Sequence, residues 1–216
     1  MKFLIYFTIL LNSSLSISCD DTLTLMHAIH HTRAVILKSA PAGEANKRVW
    51  LFTEEFGLIV AAVQGVRKPE AKLRGQIPDY AFISADLVRG KEVWRLVNAV
   101  LDYEPVRDHL RDPLARSFVR TLATLERFLA GEAPHAELFA HLEECATCLT
   151  EGGYDVSAFD TVCIWRTLVL LGYIAVSDED DSLYTLPLGD AIHATDATVI
   201  KRLVREVQQA ITETHL

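Results

Sequence analysis

From Arg33 to Leu101 the apolar positions come in short runs, which predict strands over 33–38, 47–53, 58–64, 81–88 and 93–101. Each run is rich in Val, Ile, Leu, Phe or Trp and is bounded by Gly, Pro or charged turns. The second and third runs face each other across Glu54-Glu55-Phe56-Gly57, a turn signal that reads as a hairpin. Beyond Asp112 the period changes. Phe118, Leu122, Leu125 and Leu129 recur at helical spacing between Asp112-Pro113 and Gly131, and Leu138, Leu142, Cys145 and Leu149 mark a second helix over 136–150. A third, over 159–172, is apolar nearly all round, as suits the middle of a bundle. A last helix over 196–214 places Ile200, Leu203, Val207 and Ile211 on one side and Lys201, Arg202 and Arg205 on the other. Asp178-Glu179-Asp180-Asp181 reads as a loop between them.

The expected fold class is therefore α+β: an amino-terminal five-stranded β-barrel, followed by an all-α helical domain. The strand number, with one long excursion over 65–80 between the third and fourth strands, matches the oligonucleotide/oligosaccharide-binding (OB) fold. The division expected is 26–104 for the barrel and 105–216 for the helices, with no Pro- or Ser-rich linker between them. Ala61-Ala62 is weak strand material; such small residues either fill a tight interior or admit the close approach of a base.

Composition changes this picture in one respect. The chain has 216 residues, 50% of them hydrophobic, and a net charge of −8. Residues 33–104 carry eleven Lys+Arg against nine Asp+Glu, whereas residues 105–216 carry nine against eighteen. A polyanion would thus be held by the first part. The densest basic stretch is the excursion, where Arg67, Lys68, Lys72 and Arg74 are offset by Glu70 alone. Several cations along one groove are what a phosphate chain requires, because each contact contributes little. Arg33, Arg89, Lys91 and Arg95 extend the candidate track. Trp50, Trp94, Tyr80 and Phe82 are either stacking platforms for bases or barrel core.

An Ala-Val-Ile-Leu strand is followed by Pro41-Ala42-Gly43-Glu44-Ala45-Asn46-Lys47, Leu51-Phe52-Thr53, Gly57, Gly65-Val66-Arg67-Lys68-Pro69, Ala71-Lys72-Leu73-Arg74-Gly75 and Arg89-Gly90-Lys91. In this order, over 33–104, the set resembles the amino-terminal domain of the RecO family of bacterial recombination mediators. Leu170-Leu171-Gly172-Tyr173 resembles a Leu-x-Gly-Tyr segment at the end of a core helix in the same family. The resemblance implies binding of single- and double-stranded DNA on the barrel. It also implies annealing of complementary strands and loading of recombinase with a RecR-like partner. The helical domain is implied to hold the acidic, aromatic-ended tail of single-stranded DNA-binding protein. One departure is plain: many such proteins carry a four-Cys zinc site after the Gly-Tyr, and here that stretch is Asp-rich and Cys-free.

The Cys-x-x-Cys of this chain, Cys145 and Cys148, lies upstream, with His141 and Cys163 as further conceivable ligands. A structural zinc needs four converging ligands, which one helix supplies awkwardly, so reduced core cysteines are expected and no cofactor or metal. His27, His30 and His31 have no Cys partner and read as a solvated tail.

Residues 1–25 form a leader-like or spurious extension, an apolar run followed by a Ser-rich stretch up to Cys19. The expected natural start is Met26, with a cytoplasmic protein and no membrane partner; export is the competing reading. The chain has no Gly-x-x-x-x-Gly-Lys-Ser/Thr loop, no Gly-x-Ser-x-Gly elbow and no His-Glu-x-x-His. ATP-independent binding rather than catalysis is expected. The second reading is a protein-interaction scaffold whose barrel does not bind nucleic acid.

Overall fold

The computed structural model describes residues 28–67, 71–91, 93–109, 111–129 and 131–214. The expected leader, the start at Met26, His27 and Lys68 lie outside them.

Five strands form the amino-terminal half: β1 (Ile29–Ala42), β2 (Asn46–Thr53), β3 (Gly57–Val63), β4 (Phe82–Arg89) and β5 (Trp94–Tyr103). Their order around the sheet is β1-β2-β3-β5-β4, and β4 returns to β1. β1 can serve two neighbours because it is long. Residues 29–35 pair with β4, residues 34–42 pair with β2, and a register shift between Ile36 and Lys38 bends the strand.

The five strands close on themselves, but the expectation of an OB barrel evenly laddered all round needs correction at one seam. Four seams are antiparallel ladders, but β3 meets β5 in parallel through Ala61–Trp94 and Ala62–Arg95 alone. The result is a mixed, strongly curled sheet whose closure rests on a narrow fifth seam. The reason is chain length: β3 stops at Val63, one residue past the contact, so no ladder can propagate. The edges left over are covered by other means. Gln76 Oε1 accepts from Leu101 N at 2.8 Å on the β5 side. On the other side the connection over 131–134 lies against Gly57, and Trp94 Nε1 donates to Glu132 at 3.1 Å.

Inside the curl sit Ala34, Ile36, Val49, Leu51, Ile59, Ile83, Leu87, Trp94 and Leu96, the inward members of alternating strands. His30 corrects the expectation of a solvated tail, while His31 stays exposed but on a strand. They belong to β1, where His30 meets the rings of Phe56 and Trp94 at 5.2 and 5.5 Å and His31 bonds Asp86 at 2.6 Å.

The helices are α1 (Pro113–Phe128), α2 (Ala136–Glu151), α3 (Val156–Leu170), α4 (Asp181–Thr185), α5 (Leu188–Ala194) and α6 (Ala197–Glu213). Asp112, Asp155 and Asp196 each cap a helix by accepting from backbone N–H groups of its first turn. α3 is buried on nearly every side, as its composition demands. The acidic segment read as a loop runs directly into α4, and α5 follows; both are too short for a period to reveal. Arg166 of α3, 5% exposed, fixes them by donating to the carbonyls of Leu183 and Leu186.

One sector of the sheet's outer face is covered by this bundle. Val35, Leu37, Phe52 and Phe82 join the helical core, with Phe139 at 5.9 Å from Phe52 and 6.1 Å from Phe82. The remaining sector is bare, and there the candidate site lies.

Candidate nucleic-acid interface

Alternation along β2 sends Val49 and Leu51 inward and Arg48 and Trp50 outward. The register then sets Ala40 of β1, Arg48 of β2, Ala62 of β3 and Arg95 of β5 side by side. Directly paired residues share a face, so two exposed guanidinium groups flank a small residue, with Cα atoms about 10 Å apart across two strand spacings. Behind this row a concavity of about 140 Å³ is bordered by Ala42, Lys47, Arg48, Val60 and Ala62. At this size it is too small to enclose a drug-sized ligand.

Arg67 is brought to the same end of the sheet. Its N–H donates to Ala45 O at 3.0 Å and its guanidinium to Gly43 O at 2.8 Å, while Gly65 N donates to Asn46 Oδ1 at 2.9 Å. These bonds stitch the exit of β3 to the turn between β1 and β2. Among the described residues Lys47, Arg48, Arg67 and Arg95 have no carboxylate at ion-pair distance.

The other expected cations are distributed differently. Lys72 and Arg74 are exposed on a short 3₁₀ turn, Lys72–Gly75, which leads to the Gln76–Leu101 bond. Lys91 is exposed beside β5. Arg33 is committed to a clamp: two bonds of 2.9 and 3.0 Å to Glu54, one of 2.5 Å to Glu143 of α2, and its guanidinium 5.0 Å over the ring of Phe139. The hydrogen bonds to Glu54 raise the Arg33 pKa and hold the Glu54 carboxyl below its ordinary value. Arg89 pairs with Glu132 at 3.1 Å and lies over Trp94.

Of the aromatic residues, Phe82 and Trp94 are buried, at 2% and 4% exposed, and Tyr80 is partly buried. Trp50 follows Arg48 on the outer face of β2 and is half-buried against the helical core, under Lys38 Nζ at 4.8 Å; that lysine also pairs with Glu126 of α1. Lys38, Lys47 and Arg48 were not among the expected cations. The signal for Arg48 was present in the Arg48-Val49-Trp50-Leu51 alternation, but its neighbours across the sheet follow only from the register. Ala61 is buried inside the curl, whereas Ala62, paired with Arg48, lies on the outer face.

In the helical half, Cys145, Cys148 and Cys163 are buried free thiols, and burial pushes Cys148 up to about 11. His141 Nε2 donates to Cys163 O at 3.1 Å, and no group of three His, Cys, Asp or Glu side chains among the described residues is arranged to hold a metal. No helix among the described residues is long and apolar enough to cross a membrane.

Comparison with known proteins gives one consistent result. A family model described as "Recombination protein O N terminal" matches residues 26–98, the stretch that builds nearly the whole sheet. A protein of Gloeothece citriformis named "DNA repair protein RecO" is 34% identical over 121 residues, 55% of this chain and 42% of that protein. Proteins of the same name from Synechococcus elongatus and Desulfitobacterium hafniense are 28% identical over 154 residues and 31% over 113. They are matched over 56% and 41% of their length, and cover 68% and 51% of this chain. The matched stretch thus spans about half the length of these curated relatives. Through its curled sheet, the chain is thus similar to the amino-terminal part of RecO proteins.

Proposed function

We propose that the chain is a DNA repair and recombination mediator that holds single- and double-stranded DNA across the bare sector of its sheet. The observation that carries this reading is the row Arg48–Ala62–Arg95, without carboxylate partners among the described residues, with Arg67 beside it, in a chain of net charge −8. Cations left without protein carboxylates are the ones a phosphate chain can recruit at no cost in lost ion pairs. Trp50, next on the same strand face, offers the part of its ring that the helical core leaves uncovered, and stacking tolerates any base.

The mechanism needs no covalent step. Neutralising two backbones on one surface lets complementary strands approach and pair, and the same surface positions DNA for recombinase loading with a RecR-like partner. The acidic tail of single-stranded DNA-binding protein would be met by the helical half, where Lys201 and Arg205 of α6 are exposed and without carboxylate partners among the described residues. Arg202 is occupied by Glu179 and Asp180. In this reading 26–104 and 105–216 act as the DNA-binding and partner-binding parts of a cytoplasmic protein.

The test is annealing of complementary strands coated with single-stranded DNA-binding protein, without ATP. Acceleration over the uncatalysed rate is expected. No acceleration, with the protein folded and in excess, overturns the reading.

A second reading, an interaction scaffold without nucleic-acid binding, draws on the sheet cations that helical and loop acids neutralise: Arg33 by Glu143, Lys38 by Glu126 and Arg89 by Glu132. Filter binding of single-stranded DNA at low salt separates the two. The same ion pairs give a further expectation. Glu126→Gln releases Lys38 on the bare sector, so affinity should rise a few-fold and the salt slope steepen by about 0.7 for single strands. A scaffold would show neither change.

A further inference from the structure

Two concavities of about 450 Å³ each lie between α2 and the α4–α5 junction, and they share Ala140, Glu144 and Pro187. They form one trough. Glu137, Glu144 and Glu151 follow each other at seven-residue spacing along one wall, so the trough extends about 21 Å at 1.5 Å per residue. The opposite wall is the junction of α4 and α5. Its floor and lips are apolar: Ala140, Leu170, Pro187, Leu188 and Leu186, which is 38% exposed.

The sign of the walls is uniform. Asp190 adds a fourth carboxylate, and a fifth, Glu143, is already paired with Arg33. The cation among the lining residues, Arg166, is 5% exposed; its Nε and Nη2 are spent on carbonyls and its Nη1 stands 3.6 Å from Glu144. Exposed apolar surface in a trough long enough for four helical turns, or for six or seven extended residues, is the form of a peptide-docking groove. The carboxylates select the sign of what docks there.

We propose that this trough docks a protein segment with apolar anchors and Lys or Arg flanks. It is a separate site from the DNA-binding sector, and its walls oppose the acidic tail implied for the helical half.

The probe is a fluorescein-labelled 14-residue peptide of Leu and Lys in amphipathic helical order, with a Leu and Glu peptide as comparison. The Leu/Lys peptide should bind saturably and the Leu/Glu peptide should not. Changing Glu137→Gln, Glu151→Gln and Asp190→Asn together should weaken binding about tenfold, three exposed ion pairs being lost. Leu186→Ser should weaken it independently, while DNA binding stays unchanged. A triple variant of equal net charge, Glu55→Gln, Asp178→Asn and Glu213→Gln, should bind as the parent does. Absence of binding, equal binding of the acidic peptide, or equal losses in the two triple variants would overturn the proposal.

Discussion

Replacing Arg48, Arg67 and Arg95 together by Ala is expected to lower affinity for single-stranded DNA about a hundredfold at low salt. The slope of log affinity against log salt should become about 2 units shallower, since each lost phosphate contact removes about 0.7. The three side chains are exposed, and the mutations break no ion pair among the described residues, so the fold should survive. Arg67 alone gives up a bond, the one to Gly43 O. Two comparisons localise the effect. Lys72→Ala with Arg74→Ala tests the turn of the excursion, and should change the slope less. Arg33→Ala should lower stability with little effect on the slope, because that guanidinium is held by Glu54 and Glu143. If the excursion pair carries the larger loss, the interface lies on the loop and not on the strands.

Gly57→Ala should destabilise the protein by about 3 kcal/mol or more and lower the melting temperature by roughly 10 °C, given about 2–4 °C per kcal/mol at this size. A Cβ at this position would lie 2.2 Å from Ala133 O and 2.8 Å from Ala133 N. Both are backbone atoms, so no rotamer change relieves the overlap. The φ of +65° adds the left-handed cost of about 1 kcal/mol for a residue with a side chain. Displacing the 131–134 connection would also break the bond from Trp94 to Glu132, so tryptophan fluorescence should change along with stability. Gly43→Ala is the control. It has a φ of +79° with nothing within 4 Å, and should cost about 1 kcal/mol. Equal losses at both positions would mean that the packing of this connection on the sheet contributes nothing.

Alternation with period two around Val49 and Leu51, and three-four spacing from Phe118 to Leu129, were enough to assign strand and helix, because burial of one face is written directly into local order. Local composition likewise marked the helix starts at Asp112-Pro113 and near Asp196, and the ordered motifs over 33–104 carried the resemblance to RecO proteins. What single residues could not reveal is which of them face each other. Arg48, Ala62 and Arg95 are far apart in the chain and adjacent only through the strand register; Arg33 and Lys38 look like free cations until the bundle places Glu143 and Glu126 against them. The two-pair seam between β3 and β5 is of the same kind, since where a strand stops relative to a non-neighbouring strand is settled by long-range packing. Sequence determined the elements and their exposed faces because those depend on neighbours a few residues away. Tertiary structure decided which charges remain available, because pairing a charge depends on groups that only folding brings within reach.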